Sequence, residues 1–128
     1  SRLAAEPPVA KDIERPPMHH RALLLTDGLL STSDAKTAHG LIRGTDRYVV
    51  VGVVDQPTAG RDAGEVLDSR ARGIPVFATV EAALAGAGPV HSAIVAVATV
   101  GGVLPPTMLD DVRACLRAGL SVVSGLHD

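Results

Sequence analysis

Polar and ionisable side chains follow the first apolar run of the sequence, in the stretch "TDGLLSTSDAKT" from Thr26 to Thr37. Lys36 and Thr37 stand where a phosphate loop of the form G-x-x-x-x-G-K-[ST] would place them, but Leu30 and Ala35 replace its two glycines. Without those glycines the backbone cannot be assumed to wind its N–H groups around a phosphate. We therefore do not predict a working phosphate loop here.

The same turn could still bind an anion. A lysine in the first turn of a helix faces the positive end of the helix dipole, which costs up to about 1 kcal/mol and which an anion would offset. Free N–H groups at the helix start and neighbouring hydroxyls would add donors. A lysine extended into solvent or paired with Asp34 explains the sequence equally well. The ligand contacts predicted in this turn are Asp27, Gly28, Ser31, Thr32, Ser33, Lys36 and Thr37.

Two later loops, "TVGGVLPP" at 99–106 and "SGLHD" at 124–128, could reach the same region. Gly101 and Gly102 permit close approach of a ligand to the backbone, although a turn with positive φ explains them almost as well. His127 is a weak catalytic candidate, because the adjacent Asp128 side chain would point away from it on an extended chain, and the catalytic residues stay unknown. The ligand contacts predicted in these loops are Thr99, Gly101, Gly102, Ser124 and Gly125. Small polar residues are also what strand-to-helix turns require.

Other motifs are weaker. The dinucleotide fingerprint G-x-G-x-x-G is absent after the first run, where Gly28 stands alone, although Asp55 occupies the place of a ribose-binding acid. The single cysteine, Cys115, excludes an internal disulfide and a cysteine-rich metal cluster, and its helical spacing predicts a core thiol rather than a reactive one. The pair His19 and His20 does not predict a metal site.

Five apolar runs, rich in β-branched residues and stopped by Gly, Pro, Asp or Thr, predict strands covered on both faces of a parallel sheet. They lie at 21–26, 48–55, 74–79, 91–99 and 120–125, and helical segments lie between them at 34–44, 63–73, 80–88 and 106–119. Right-handed crossovers then predict a Rossmann-like three-layer α/β sandwich with strand order 3-2-1-4-5. Ligands of such sheets bind beyond the carboxyl ends of the strands, here between strands one and four.

Composition limits the function further. The chain has 128 residues, a net charge of -2 and only 2% aromatic residues, which indicates one domain without the basic field or stacking platforms of nucleic-acid binding. We see no signal segment and no membrane span, and we expect a cytoplasmic protein. Prolines and the absence of periodicity predict a flexible arm over residues 1–20, followed by one domain over 21–128.

Four segments, "ALLLTDGLLSTSDAKTAHGLIRG", "VVGVVDQPTAGRDAGEVLD", "GIPVFATVEAAL" and "VATVGGVLPPTMLDDVRACLRAGLSVVSGLHD", resemble in order and spacing the N-terminal domain of the domain-of-unknown-function 1611 family. That family includes proteins described as D-glutamate N-acetyltransferases of D-amino-acid catabolism. The resemblance implies a Rossmann-like domain followed by a larger domain with a true phosphate loop, where acyl-CoA or nucleotide chemistry would occur. No such loop is present in these residues.

Three functions follow as hypotheses. The first is a ligand-binding and assembly domain of an N-acyltransferase-like protein, whose site is completed by the phosphate-loop domain, with acetyl-CoA or ATP bound through the parent protein. The second is an autonomous CoA- or nucleotide-binding module without catalysis. The third is an oligomerisation domain that pairs with another copy, and we expect a homo-oligomer.

Overall fold

The computed structural model describes residues 20–124, except for the side chain of Val100. The strands are β1 (Arg21–Leu25), β2 (Val49–Val54), β3 (Val76–Phe77), β4 (Ser92–Val95) and β5 (Ser121–Ser124). The helices are α1 (Lys36–Arg43), α2 (Ala63–Asp68), α3 (Val80–Gly86) and α4 (Pro106–Arg117). Apart from His20, the predicted N-terminal arm lies outside the described residues, as do Gly125 and His127.

The five strands form one parallel sheet in the order β3-β2-β1-β4-β5. The central strand β1 pairs on both sides, with Leu24 opposite Val53 of β2 and Ile94 of β4. The predicted α/β fold and its strand order, 3-2-1-4-5, are confirmed.

The helices pack in two pairs, α1 with α2 and α3 with α4. α3 contacts β2 and β3, and α4 contacts β5. Right-handed crossovers place helices after β1 and β2 on one face and helices after β3 and β4 on the other, which gives the three layers. None of the helices in the described part of the chain is long and apolar enough to cross a membrane.

The two outer strands differ in how their edges are covered. The loop before α2 covers β3, because the Gly60 N–H donates to the Val76 carbonyl oxygen at 2.9 Å and the Val76 N–H donates to the Arg61 carbonyl oxygen at 3.0 Å. β5 pairs with β4 alone among the described strands. The sheet therefore has one edge covered by its own loop and one edge open within residues 20–124.

Several elements are shorter than predicted. α2 ends at Asp68 rather than Gly73, because Ser69 takes a left-handed conformation with φ of 66°. β3 has two residues instead of six. The chain enters α1 through a 3-10 turn at Ser33–Ala35, which is capped by the Thr32 hydroxyl.

Aliphatic side chains from β1, β4 and the inner faces of the helices build the core. Leu23, Leu24, Leu25, Ile94, Met108 and Cys115 are among its fully buried members. Burial, together with the nearby carboxylates of Asp111 and Glu81, raises the pKa of the Cys115 thiol to about 11. Cys115 is therefore a protonated core thiol at neutral pH, as its helical spacing predicts.

Candidate functional site

Three clefts receive most of the residues predicted to bind a ligand. Lys36 and Thr37 line the first cleft, Asp27 and Gly28 line the second, and Thr99, Gly102 and Ser124 line the third. Ser31, Thr32, Ser33 and Gly101 line none of these three clefts. The structure thus divides the seven predicted residues that line clefts among three separate clefts rather than around one cavity, and their roles in binding stay predictions.

The first cleft, the α1 groove, lies between α1 and the strands β4 and β5 and has a volume of about 310 Å³. Lys36 and Gly40 lie one helical turn apart on its α1 wall, and Gly44, the residue after α1, continues this wall. Ile94 and Val123 form its floor. The groove is therefore apolar in its centre and carries a cation where α1 begins.

The Lys36 side chain is exposed and makes no hydrogen bond or ion pair with any other residue of the range 20–124. The alternative of a Lys36–Asp34 ion pair is not present there. Ala35, the N-cap residue of α1, makes no side-chain hydrogen bond to the N–H groups of the first turn. Because a positive side chain meets the positive end of the helix dipole, this turn favours an anionic ligand.

The second cleft, the acidic cleft, has a volume of about 470 Å³ and lies at the carboxyl ends of β1, β2 and β3. Asp27 bridges it to α4, since the Thr107 hydroxyl donates to Asp27 Oδ1 at 2.6 Å. Partial burial raises the pKa of Asp111 above its ordinary value, and nearby carboxylates raise it further. Those carboxylates belong to Asp27, Glu81 and Asp110. Phosphate groups would be repelled here, whereas a cation or a neutral hydrogen-bond donor would be accepted.

The third cleft, the α4 cleft, has a volume of about 510 Å³ and lies between α4, β5 and the loop after β4. Its walls are mainly apolar, with Leu104 and Val112 facing Val122. The predicted contacts Thr99, Gly102 and Ser124 provide its polar groups.

The point between β1 and β4 where the crevice was expected is occupied by the protein's own backbone. The Ala38 N–H donates to the Ala96 carbonyl oxygen at 3.1 Å, and the Ala98 N–H donates to the Asp34 carbonyl oxygen at 2.9 Å. The side chains of Ala38 and Ala96 are fully buried. One donor of the α1 start is thereby used internally, and ligands have access on either side of this contact rather than through it.

Gly101 and Gly102 have φ of 60° and 75°, and a Cβ built on either one would meet no atom within 4 Å. A turn that requires positive φ therefore accounts for both glycines. Close packing against other described atoms does not account for either glycine.

Asp55 is 1% exposed and belongs to an internal network rather than to a ribose site. Its Oδ1 accepts the Thr26 hydroxyl at 2.7 Å and the Leu30 N–H at 3.0 Å, and its Oδ2 accepts the Thr58 hydroxyl. Asp55 thus occupies the sequence position of a ribose-binding acid, but both of its carboxylate oxygens accept hydrogen bonds from buried donors of the protein. The network fixes the turn after β1 to the turn after β2.

A second polar cluster lies at the amino-terminal edge of the sheet, and nothing in the sequence pattern indicated it. His20 Nε2 hydrogen-bonds to the hydroxyl of the buried Ser92. The His20 ring lies 5.6 Å from the Tyr48 ring and 5.2 Å from the His91 ring, centroid to centroid. His91 Nδ1 accepts the Arg21 backbone N–H at 2.9 Å. These contacts join three strands, and none of the three clefts is lined by His20, His91 or Ser92.

No group of three or more histidine, cysteine or acidic side chains in the part of the chain that the structure describes could hold a metal ion.

The sequence model of a family described as "Domain of unknown function (DUF1611_N) Rossmann-like domain" matches residues 56–128, which is more than half of the chain. The chain belongs to the DUF1611_N family. The domain family that the motifs resemble is thereby confirmed, together with the Rossmann-like fold of this DUF1611_N domain.

A solved structure is also similar to this DUF1611_N domain. It is the crystal structure of a DUF1611 family protein from Anabaena variabilis, with a TM-score of 0.74 and 28% sequence identity. The similarity covers 88% of this chain and 31% of that chain, so the chain spans about a third of the length of this neighbour. No curated protein matches.

Proposed function

We propose that this DUF1611_N domain is the N-terminal ligand-binding and assembly domain of a longer N-acyltransferase-like protein. The observation that carries the proposal is the open side of the sheet at β5. Val123 is 38% exposed there, and β5 has no strand on its outer side among residues 20–124. An open, partly apolar strand edge is a surface that proteins cover with a further strand, helix or domain.

The length of the structural neighbour supports a second domain, since most of that chain has no counterpart here. In this proposal the second domain carries a phosphate loop and completes the site next to the clefts at β5. The reaction class is transfer of an acetyl group to the amine of D-glutamate, as in the proteins that the motifs resemble. The buried, unpaired Cys115 is in keeping with work in the cytoplasm.

Acetyl-CoA would supply the acetyl group. Its negatively charged phosphates would fit one of the clefts but not another. Lys36 and the first turn of α1 offer a positive charge, whereas the acidic cleft would repel phosphate. Lys36 is thus the residue to which we assign anion binding. The hydroxyls of Ser31 and Ser33 are exposed near this turn and could add donors.

The test has two arms. The first is calorimetric titration of this domain with acetyl-CoA, ATP and NAD in turn, repeated with Lys36→Ala. The second is an assay of acetyl-CoA-dependent D-glutamate acetylation by a longer family member, with and without the residues equivalent to this domain. Acetylation that requires the domain supports the proposal, and full acetylation without it would overturn the assembly role.

Two alternatives lead to different outcomes of the same experiments. Saturable binding of acetyl-CoA or a nucleotide by the domain alone, without acetylation by the longer protein, indicates an autonomous binding module. Concentration-dependent association of the domain without ligand binding indicates an oligomerisation domain, which the open β5 edge also favours.

A further inference from the structure

The α1 groove contains space that residues 20–124 leave empty. Gly40 of α1 and Gly44, the residue directly after α1, line the groove, and a Cβ built on either one would meet no described atom within 4 Å. Glycine within a helix costs about 1 kcal/mol relative to alanine. The groove is therefore open along the bare backbone of α1.

Apolar and charged groups are segregated along this groove. Leu41 and Ile94 line its centre together with the exposed Val123. Lys36 lies where α1 begins, and Arg47 lies beyond the end of the helix with its guanidinium 5.8 Å from the centre of the Tyr48 ring. None of the carboxylates within residues 20–124 lines the groove.

We propose that the α1 groove binds an aliphatic carboxylate of medium chain length, with its carboxylate at Lys36 and its chain along Gly40 towards Tyr48. The volume of about 310 Å³ is within the range of small-molecule sites. Eight helical residues span about 12 Å, which suits an extended chain rather than a compact anion.

The charges of the groove select this class of ligand over two others. Inorganic phosphate would pair with Lys36 but leave the apolar floor in contact with water. A second copy of the same groove would bring Lys36 and Arg47 against their own equivalents, and like charges repel. An anionic head with an apolar chain satisfies both parts of the groove. The inference goes beyond the proposed function and shares only Lys36 with it.

The experiment is a titration of this chain with octanoate, followed by the amide signals of Gly40, Gly44 and Val123 in nitrogen–proton correlation spectra. We expect saturable shifts at these three residues. Acetate, which has the same head without the chain, should bind at least about tenfold more weakly, because each buried methylene contributes to affinity. 1-Octanol, which has the chain without the charge, should also bind more weakly.

Two variants test the geometry, and one serves as control. Gly40→Leu should abolish octanoate binding while the fold is retained, because its side chain enters empty space in the groove. Lys36→Gln should weaken binding about fivefold through loss of the ion pair. Arg43→Gln removes a charge from the same helix outside the groove lining, where Arg43 acts on Asp68 of α2, and should leave binding unchanged.

Absence of saturable shifts at Gly40 and Gly44, or an equal effect of Arg43→Gln and Lys36→Gln, would overturn the groove assignment. Retention of octanoate binding by a folded Gly40→Leu variant would overturn it as well. The same variant separates this inference from the proposed function, since Gly40→Leu should not alter acetyl-CoA titration or acetylation by the longer protein.

Discussion

At the scale of single residues, two buried or half-buried aspartates fix loops of the domain by accepting hydrogen bonds. Asp55 was placed by sequence position where a ribose-binding acid would lie, but it is held by the hydroxyls of Thr26 and Thr58. No motif in the sequence indicates a role for Asp62, yet its carboxylate accepts hydrogen bonds from four backbone N–H groups. Residue type alone does not separate a ligand-binding carboxylate from one that satisfies internal donors.

The contacts of Asp62 lead to a pH-dependent prediction. Partial burial raises the pKa of its carboxyl, but hydrogen bonds from the N–H groups of Arg72, Ile74, Glu65 and Gly64 outweigh this and hold the pKa below its ordinary value. A lowered pKa in the folded state contributes stability above the unfolded pKa, and this contribution is lost as pH falls through the folded pKa.

We expect Asp62→Asn to lower the free energy of unfolding by about 1–2 kcal/mol at pH 7, because the helix cap and a loop acceptor are weakened. The difference in the free energy of unfolding between this variant and the original protein should become smaller as the pH falls from 5 to about 3. Urea unfolding at several pH values measures it, with the exposed Asp46→Asn as control. A difference that stays constant with pH would contradict the assigned role of the charge.

At the scale of elements, the packing of β2, β3 and α3 depends on two glycines around Phe77. A Cβ on Gly52 would lie 2.8 Å from Phe77 Cε2 and 3.2 Å from Leu23 Cδ2, and a Cβ on Gly86 would lie 2.8 Å from Phe77 Cε1. The only phenylalanine of the chain is thus enclosed between a strand and a helix that must both lack a side chain at the contact.

We expect Gly52→Ala to destabilise the fold by about 1–3 kcal/mol through overpacking. Gly40→Ala is the matched control and should instead stabilise by up to about 1 kcal/mol, because its Cβ enters open space within a helix. Thermal and urea unfolding measure both changes. In the background of Phe77→Leu, Gly52→Ala should lower the free energy of unfolding by less than it does alone. Strictly additive changes in the free energy of unfolding would argue against direct contact as the cause.

Local sequence patterns predict much of the fold at this scale, because continuous apolar runs and right-handed crossovers leave few arrangements of the strands. They do not predict where α2 and β3 end. These limits depend on Ser69 in a left-handed conformation and on pairing of Gly60 and Arg61 with Val76, which are contacts made only after folding. They also do not predict the Ala38–Ala96 hydrogen bond, which lies between loops that topology alone places together.

At the scale of the whole molecule, the two edges of the sheet, at β3 and at β5, have different environments. The β3 side is covered by the chain's own loop, whereas the β5 side carries the α1 groove, the α4 cleft and an exposed strand edge. Binding and association are therefore expected on the same side. Val123 lines both clefts, which makes it the residue most suited to test this view.

We expect the domain to self-associate at high concentration through the β5 edge, and Val123→Lys to shift it towards the monomer, because a lysine on an edge strand opposes pairing with another sheet. Sedimentation velocity over a concentration series measures this. Leu116→Lys, at a 55% exposed position on α4, is the control for adding a charge to an apolar surface residue. Equal dissociation by both variants would indicate general charge repulsion, and association unaffected by Val123→Lys would exclude the β5 edge. Loss of association in Val123→Lys alone would place the assembly surface beside the α1 groove, so that a partner bound there would also limit access to that groove.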